Sequence, residues 1–140
     1  MRIRIAVLGL ALVAAGCTSA PAPAGTWASP TGSPPAWTEP AGYSFVLDRR
    51  CGSGPSLGRY RVTVADAQVT GWDRIDGRTA SGEEEIRVPT LGELTELART
   101  AIDDGAEATM TADPGDGHPV EVTITRDTRE CFVVSEYAVG

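Results

Sequence analysis

The chain has 140 residues, 41% of them apolar, with 12 basic and 19 acidic side chains and a net charge of −7. That length holds one modest hydrophobic core rather than several. The negative charge argues against nucleic acid and against anionic membrane surfaces as partners, because both repel it.

The N-terminus carries a targeting pattern. Arg2 and Arg4 precede an apolar run over 5–15. Such a run makes roughly 16 Å of helix, too short for the ~30 Å of bilayer hydrocarbon but suited to a signal-peptide core. The segment Val13-Ala14-Ala15-Gly16-Cys17 resembles a bacterial lipobox, although Ala14 stands where Leu is common. The resemblance implies a lipoprotein signal peptide over 1–16, cleavage before Cys17, and lipid on the Cys17 sulfur. The expected location is therefore the extracytoplasmic face of the cell membrane, with two or more acyl chains giving stable anchoring. An ordinary signal peptide cut near Ala20 or Ala22, with Cys17 discarded, is the alternative. Cleavage before Cys17 lowers the basic count from 12 to 10 against 19 acids and leaves a charge of −9.

Residues 17–42 are the lipidated Cys17 followed by the expected tether over 18–42. Pro21, Pro23, Pro30, Pro34, Pro35 and Pro40 stand among Ala, Ser, Thr and Gly, a composition that buries too little apolar surface to offset its ordering entropy. A flexible coil of this length spans about 25–30 Å, and a polyproline form reaches about 78 Å. Trp27 and Trp37 are expected to be solvated aromatics within it.

Residues 43–140 are the expected globular domain. Tyr43, Phe45 and Leu47 alternate, which predicts a first strand ending near Arg50. Tyr60, Val62 and Val64 alternate in a second strand, Asp66 and Ala67 make a tight turn, and a third strand runs over 68–75. A helix follows. Thr90-Leu91-Gly92-Glu93 matches a capping box, Leu91, Leu94, Leu97, Ala98, Ala101 and Ile102 share one face, and Gly105 is a C-terminal stop. Gly92 weakens that helix by about 1 kcal/mol relative to Ala. The remaining strands are read at 107–112, around Val120, Val122 and Ile124, and at 131–139. The fold class is α+β: a single antiparallel six-stranded sheet, in the order βββαβββ, with one helix packed on one face.

With Cys17 lipidated, Cys51 and Cys131 remain. An even pair in an exported domain reads as one disulfide, with free thiols or a metal pair as alternatives. One His and no C-x-x-C spacing argue against metal. Cys51 closes the first strand and Cys131 opens the sixth, so a bridge makes those strands neighbours and gives the sheet order 3-2-1-6-5-4.

An aromatic strand running into a cysteine, the hairpin Arg61-Val62-Thr63-Val64-Ala65-Asp66-Ala67-Gln68-Val69, the capped helix, the Gly117-His118-Pro119 turn and an acidic turn before the last strand together resemble a family of small bacterial lipoproteins known only as a domain of unknown function. The resemblance covers most of 43–140. It implies fold and location but no activity, and His118 replaces the Tyr usual at that turn.

Candidate sites are sparse. Gly54-Pro55-Ser56-Leu57-Gly58 matches G-x-S-x-G, but between two antiparallel strands rather than at a strand-to-helix elbow. His118 is the sole histidine and hence the one ready general base, and Gly117 and Pro119 also explain it as a turn residue. Asp113, Asp116, Glu83, Glu84 and Glu85 lack calcium-loop spacing. Arg61, Thr63, Glu121, Thr123 and Thr125 have the parity opposite to the core, and Trp72, of ambiguous parity, either joins them as a binding anchor or packs inward. The reading is a non-enzymatic envelope module that binds through its open sheet face or its Gly-rich loops. Arg61, Thr63, Trp72 and His118 are its candidate contacts, with no cofactor or metal. The membrane, through Cys17, and an envelope protein or small ligand are its partners. The alternatives are a small secreted hydrolase using Ser56 and His118, and a purely structural or stress-related surface protein.

Overall fold

The computed structural model describes residues 26–27, 36–78 and 87–140. The expected signal peptide, Cys17, most of the expected tether and the Glu83–Glu85 run lie outside the described residues.

Six antiparallel strands form one sheet: β2 (Gly42–Asp48), β3 (Arg59–Ala65), β4 (Gln68–Arg74), β5 (Glu107–Ala112), β6 (Pro119–Thr125) and β7 (Arg129–Val139). Their order is β5-β6-β7-β2-β3-β4, so the first and last long strands are central neighbours, as the cysteine argument requires. Cys51 and Cys131 are bonded with Cα atoms 5.0 Å apart. A two-residue strand, β1 (Thr26–Trp27), adds in parallel to the outer edge of β5.

Period-two alternation decides the layers. Phe45, Leu47, Tyr60, Val62, Val64, Val122, Ile124, Phe132 and Val134 form the buried face, and their register partners confirm a shared side. Helix α1 (Leu91–Asp103) packs on β5 and β6 with Leu91, Leu94, Ala98 and Ala101 buried. Leu97 departs from the expected stripe: it sits at the margin and is 37% exposed. The capping box is present in full. At the other end Gly105, at φ +83°, donates to the Ile102 carbonyl while Ala106 donates to that of Ala101, a Schellman closure that uses the left-handed freedom of glycine.

Two bulges reassign aromatic side chains. In the β3–β4 hairpin the register shifts after Val64↔Val69, so Trp72 lies across from Val62. A regular ladder would set it opposite Arg61, on the open face. Trp72 instead shares the helix side and meets Tyr60 edge-on at 5.7 Å, with 38% of its surface exposed. In β7 the shift falls opposite Phe45, where Glu136 adopts φ +51°. The extra residue turns Tyr137 inward against Tyr43, at 5.7 Å, and leaves Glu136 outside, paired with Arg59 and Arg61 at 3.6 and 3.5 Å.

The packed fold also begins earlier than position 43. Trp37 is half-buried rather than solvated: it meets Tyr43 edge-on at 6.5 Å, and its indole N–H donates to the Tyr137 hydroxyl at 3.4 Å. A large ring beside an aromatic cluster removes more apolar surface from water than a tether position allows.

Candidate functional site

The structure does not bring Ser56 and His118 together. The Ser56 hydroxyl donates to Asp48 at 2.6 Å and accepts from the Gly58 N–H, which fixes it at the C-terminal end of β2. His118 stacks on Tyr137 at 4.1 Å, and Tyr137 packs on Tyr43 at the other end of β2. Five residues of extended chain separate the two ends, roughly 17 Å. A nucleophile and its base must be within hydrogen-bond reach, so these two residues do not make a hydrolase dyad.

The His118 corner is a self-contained turn. Its ring Nδ1 lies 2.5 Å from Asp116 Oδ1, which also accepts the His118 backbone N–H at 3.0 Å. That N–H first, and then the ring, hold the Asp116 carboxyl below its ordinary range. Asp113 accepts from the Gly115 N–H through its side chain and from the Gly117 N–H through its carbonyl. Asp113, Asp116 and His118 each place one potential ligand atom within 4.8 Å of the others. Those contacts tie the turn to itself.

Arg61 and Thr63 lie exposed on the open face, as their parity predicts. Arg61 and Arg59 reach across β2 to the one carboxylate of Glu136, so this part of the face is already ion-paired, with one positive charge in excess. Thr123, of the same parity, is 8% exposed.

A mainly apolar recess lies on the helix side. Because α1 lies over β5 and β6, the recess remains between the helix flank and the start of β7, where Phe132 itself is buried. There a cavity of about 430 Å³ has Phe132, Leu97 and Pro89 as apolar walls and Arg49, Glu96 and Glu130 among its polar groups. Arg87 and Glu93, an ion pair, close one side. A second hollow of about 400 Å³ shares Arg49, Glu130 and Phe132 and continues over the disulfide to Pro55 and Leu57. Leu57 is 61% exposed. The two form a trough with an apolar floor and charges of both signs on its rim. Sequence reasoning missed it. The Gly-rich loop pointed to one wall, but Leu97 read as part of the buried helix stripe.

The chain matches none of the protein-family models, curated proteins or solved structures with which it was compared.

Proposed function

We propose that the chain is a lipid-anchored, extracytoplasmic binding module of the bacterial envelope, held by Cys17 and binding through the helix-side trough. The Arg2/Arg4 leader, the apolar run and the small residues before Cys17 support the anchor. The Cys51–Cys131 bond suits an oxidising compartment. The observation that carries the binding role is the trough, where Leu97 and Leu57 offer apolar surface beside the buried Phe132, framed by Arg49, Glu96 and Glu130. Specific sites combine an apolar floor with a few placed polar groups in this way. An apolar side chain of an envelope protein, or a small amphipathic ligand, fits that chemistry.

A photo-crosslinking amino acid placed at Leu97, at Leu57 or on the open face at Thr63 tests this reading in living cells. Adducts at 97 and 57 but not at 63 are expected. Adducts at 63 alone would move the function to the open face, and none anywhere would leave a structural role. The anchor is tested by labelling with an alkyne analogue of palmitate, which the parent incorporates and Cys17→Ser does not.

A further inference from the structure

Residues 36–41 belong by composition to the segment that joins Cys17 to the fold, yet they are built into it. Glu39 is the centre of the attachment. Its carboxylate accepts the Tyr43 hydroxyl at 2.5 Å and the Gly92 N–H at 3.2 Å. The Tyr43 oxygen in turn accepts the Leu91 N–H at 2.9 Å. Burial first, and then the bond to Glu39, push the Tyr43 phenol far above its ordinary range, so it stays a donor. With the Glu93 N–H on Thr90, each of the first three amides of α1 has a side-chain acceptor, and two of the three depend on Glu39 directly or through Tyr43.

Gly92 is fitted to this arrangement, since a Cβ there would collide with the Glu39 carboxylate. Trp37, two residues earlier, secures the same segment against Tyr43 and Tyr137. The helix held in this way also forms one wall of the trough through Glu93, Glu96, Leu97 and Thr100.

We infer that residues 36–41 are a strap that couples the anchored N-terminal segment to the trough, with Glu39 as the latch and α1 as the moving wall. A force or a protein that draws the N-terminal segment away detaches Glu39, frees the Gly92 amide, loosens the Tyr43 hydroxyl that accepts from Leu91 and shifts Leu97. Helices move as packed units, by small translations of this kind. The inference deepens the proposed trough and depends on that reading only for what the trough binds.

The full chain with Glu39→Ala tests it by two readouts: amide hydrogen exchange along the chain, and the maleimide labelling rate of a thiol placed at 97 (Leu97→Cys). Exchange at Leu91 and Gly92 is expected to accelerate about tenfold or more, the change that ~1.4 kcal/mol of lost local stability gives. The label rate at 97 should change several-fold, while exchange in β6 and β7 keeps the parent rate. Gly92→Ala, which displaces the carboxylate but favours the helix, should move the rate at 97 in the same direction. Faster exchange at 91–92 with an unchanged rate at 97 would reduce Glu39 to a cap and overturn the coupling. Uniformly faster exchange at all positions would overturn it too, as a global loss of stability. Both readouts are independent of ligand, so a failure to crosslink at 97 leaves them standing.

Discussion

Replacing Gly92 with Ala ordinarily stabilises a helix by up to about 1 kcal/mol. Here the added methyl group occupies the site of the Glu39 carboxylate. Its displacement loses the Gly92 N–H bond and weakens the bond from Tyr43. Hydrogen bonds to a charged group are worth about 1.5–3 kcal/mol, and half-burial of Glu39 argues for the lower end. Gly92→Ala is therefore expected to be net destabilising by about 0.5–1 kcal/mol, a fall in Tm of several degrees for a domain of this size. In a Glu39→Ala background the conflict is gone, and the same change should stabilise by up to ~1 kcal/mol. The sign reverses, with a coupling of about 1.5–2 kcal/mol in the double-mutant cycle. Urea unfolding followed by far-ultraviolet circular dichroism, with the disulfide intact, measures all four proteins. Stabilisation by Gly92→Ala in both backgrounds would refute the reasoning, because Glu39 would then not be held at that amide.

The hairpin turn offers a second test: Asp66 and Ala67 have φ of +52° and +56°, so Ala67→Gly should raise stability by about 0.5–1 kcal/mol by removing left-handed strain, and an unchanged Tm would contradict it. Replacing Cys51 and Cys131 together with Ala opens a bridge spanning 80 positions. A loss of about 4 kcal/mol follows from chain entropy, measurable as a lowered urea midpoint. The acid limb of stability should carry a signature of Asp76, whose carboxyl the Arg74 guanidinium holds down at about 2. Against an unfolded value of about 3.9, its stabilising contribution is complete above that pH and is lost as pH falls through 2. The difference between the parent and Asp76→Asn should accordingly shrink from pH 4 to pH 2, and a difference constant with pH would count against the ion pair.

Much of the fold was legible because several local signals agreed. Alternation marked Tyr60, Val62 and Val64, the Thr90–Glu93 box and Gly105 bounded the helix, and the two cysteines ordered the strands. Parity failed at the bulges. One extra residue at Thr70 and another at Glu136 invert the face of every later side chain; Gly71 beside the first was the one local signal, and the second carries no Gly or Asn to announce it. Trp72 and Tyr137 were unreadable for that reason. Trp37 was misplaced because composition describes a segment's average, while its burial depends on Tyr43 and Tyr137, the latter 100 positions away. The trough was hidden by a related limit: period places Leu97 on the apolar stripe, but only the offset of α1 toward β5 and β6 decides that its flank stays uncovered.

The strand order has a kinetic side. The hairpin of β3 and β4 stands on one side of β2, and the hairpin of β5 and β6 stands on one side of β7. The seam between β2 and β7 joins the earliest and latest long strands in chain order. Until β7 is available, β2 has one unsatisfied edge and β6 has another, and the apolar faces of the two groups have no common floor. Closure of that seam is a long-range event that pays its loop entropy before it gains contacts. Folding of this domain should therefore be late and all at once, with the bond between Cys51 and Cys131 recording when the two groups have met.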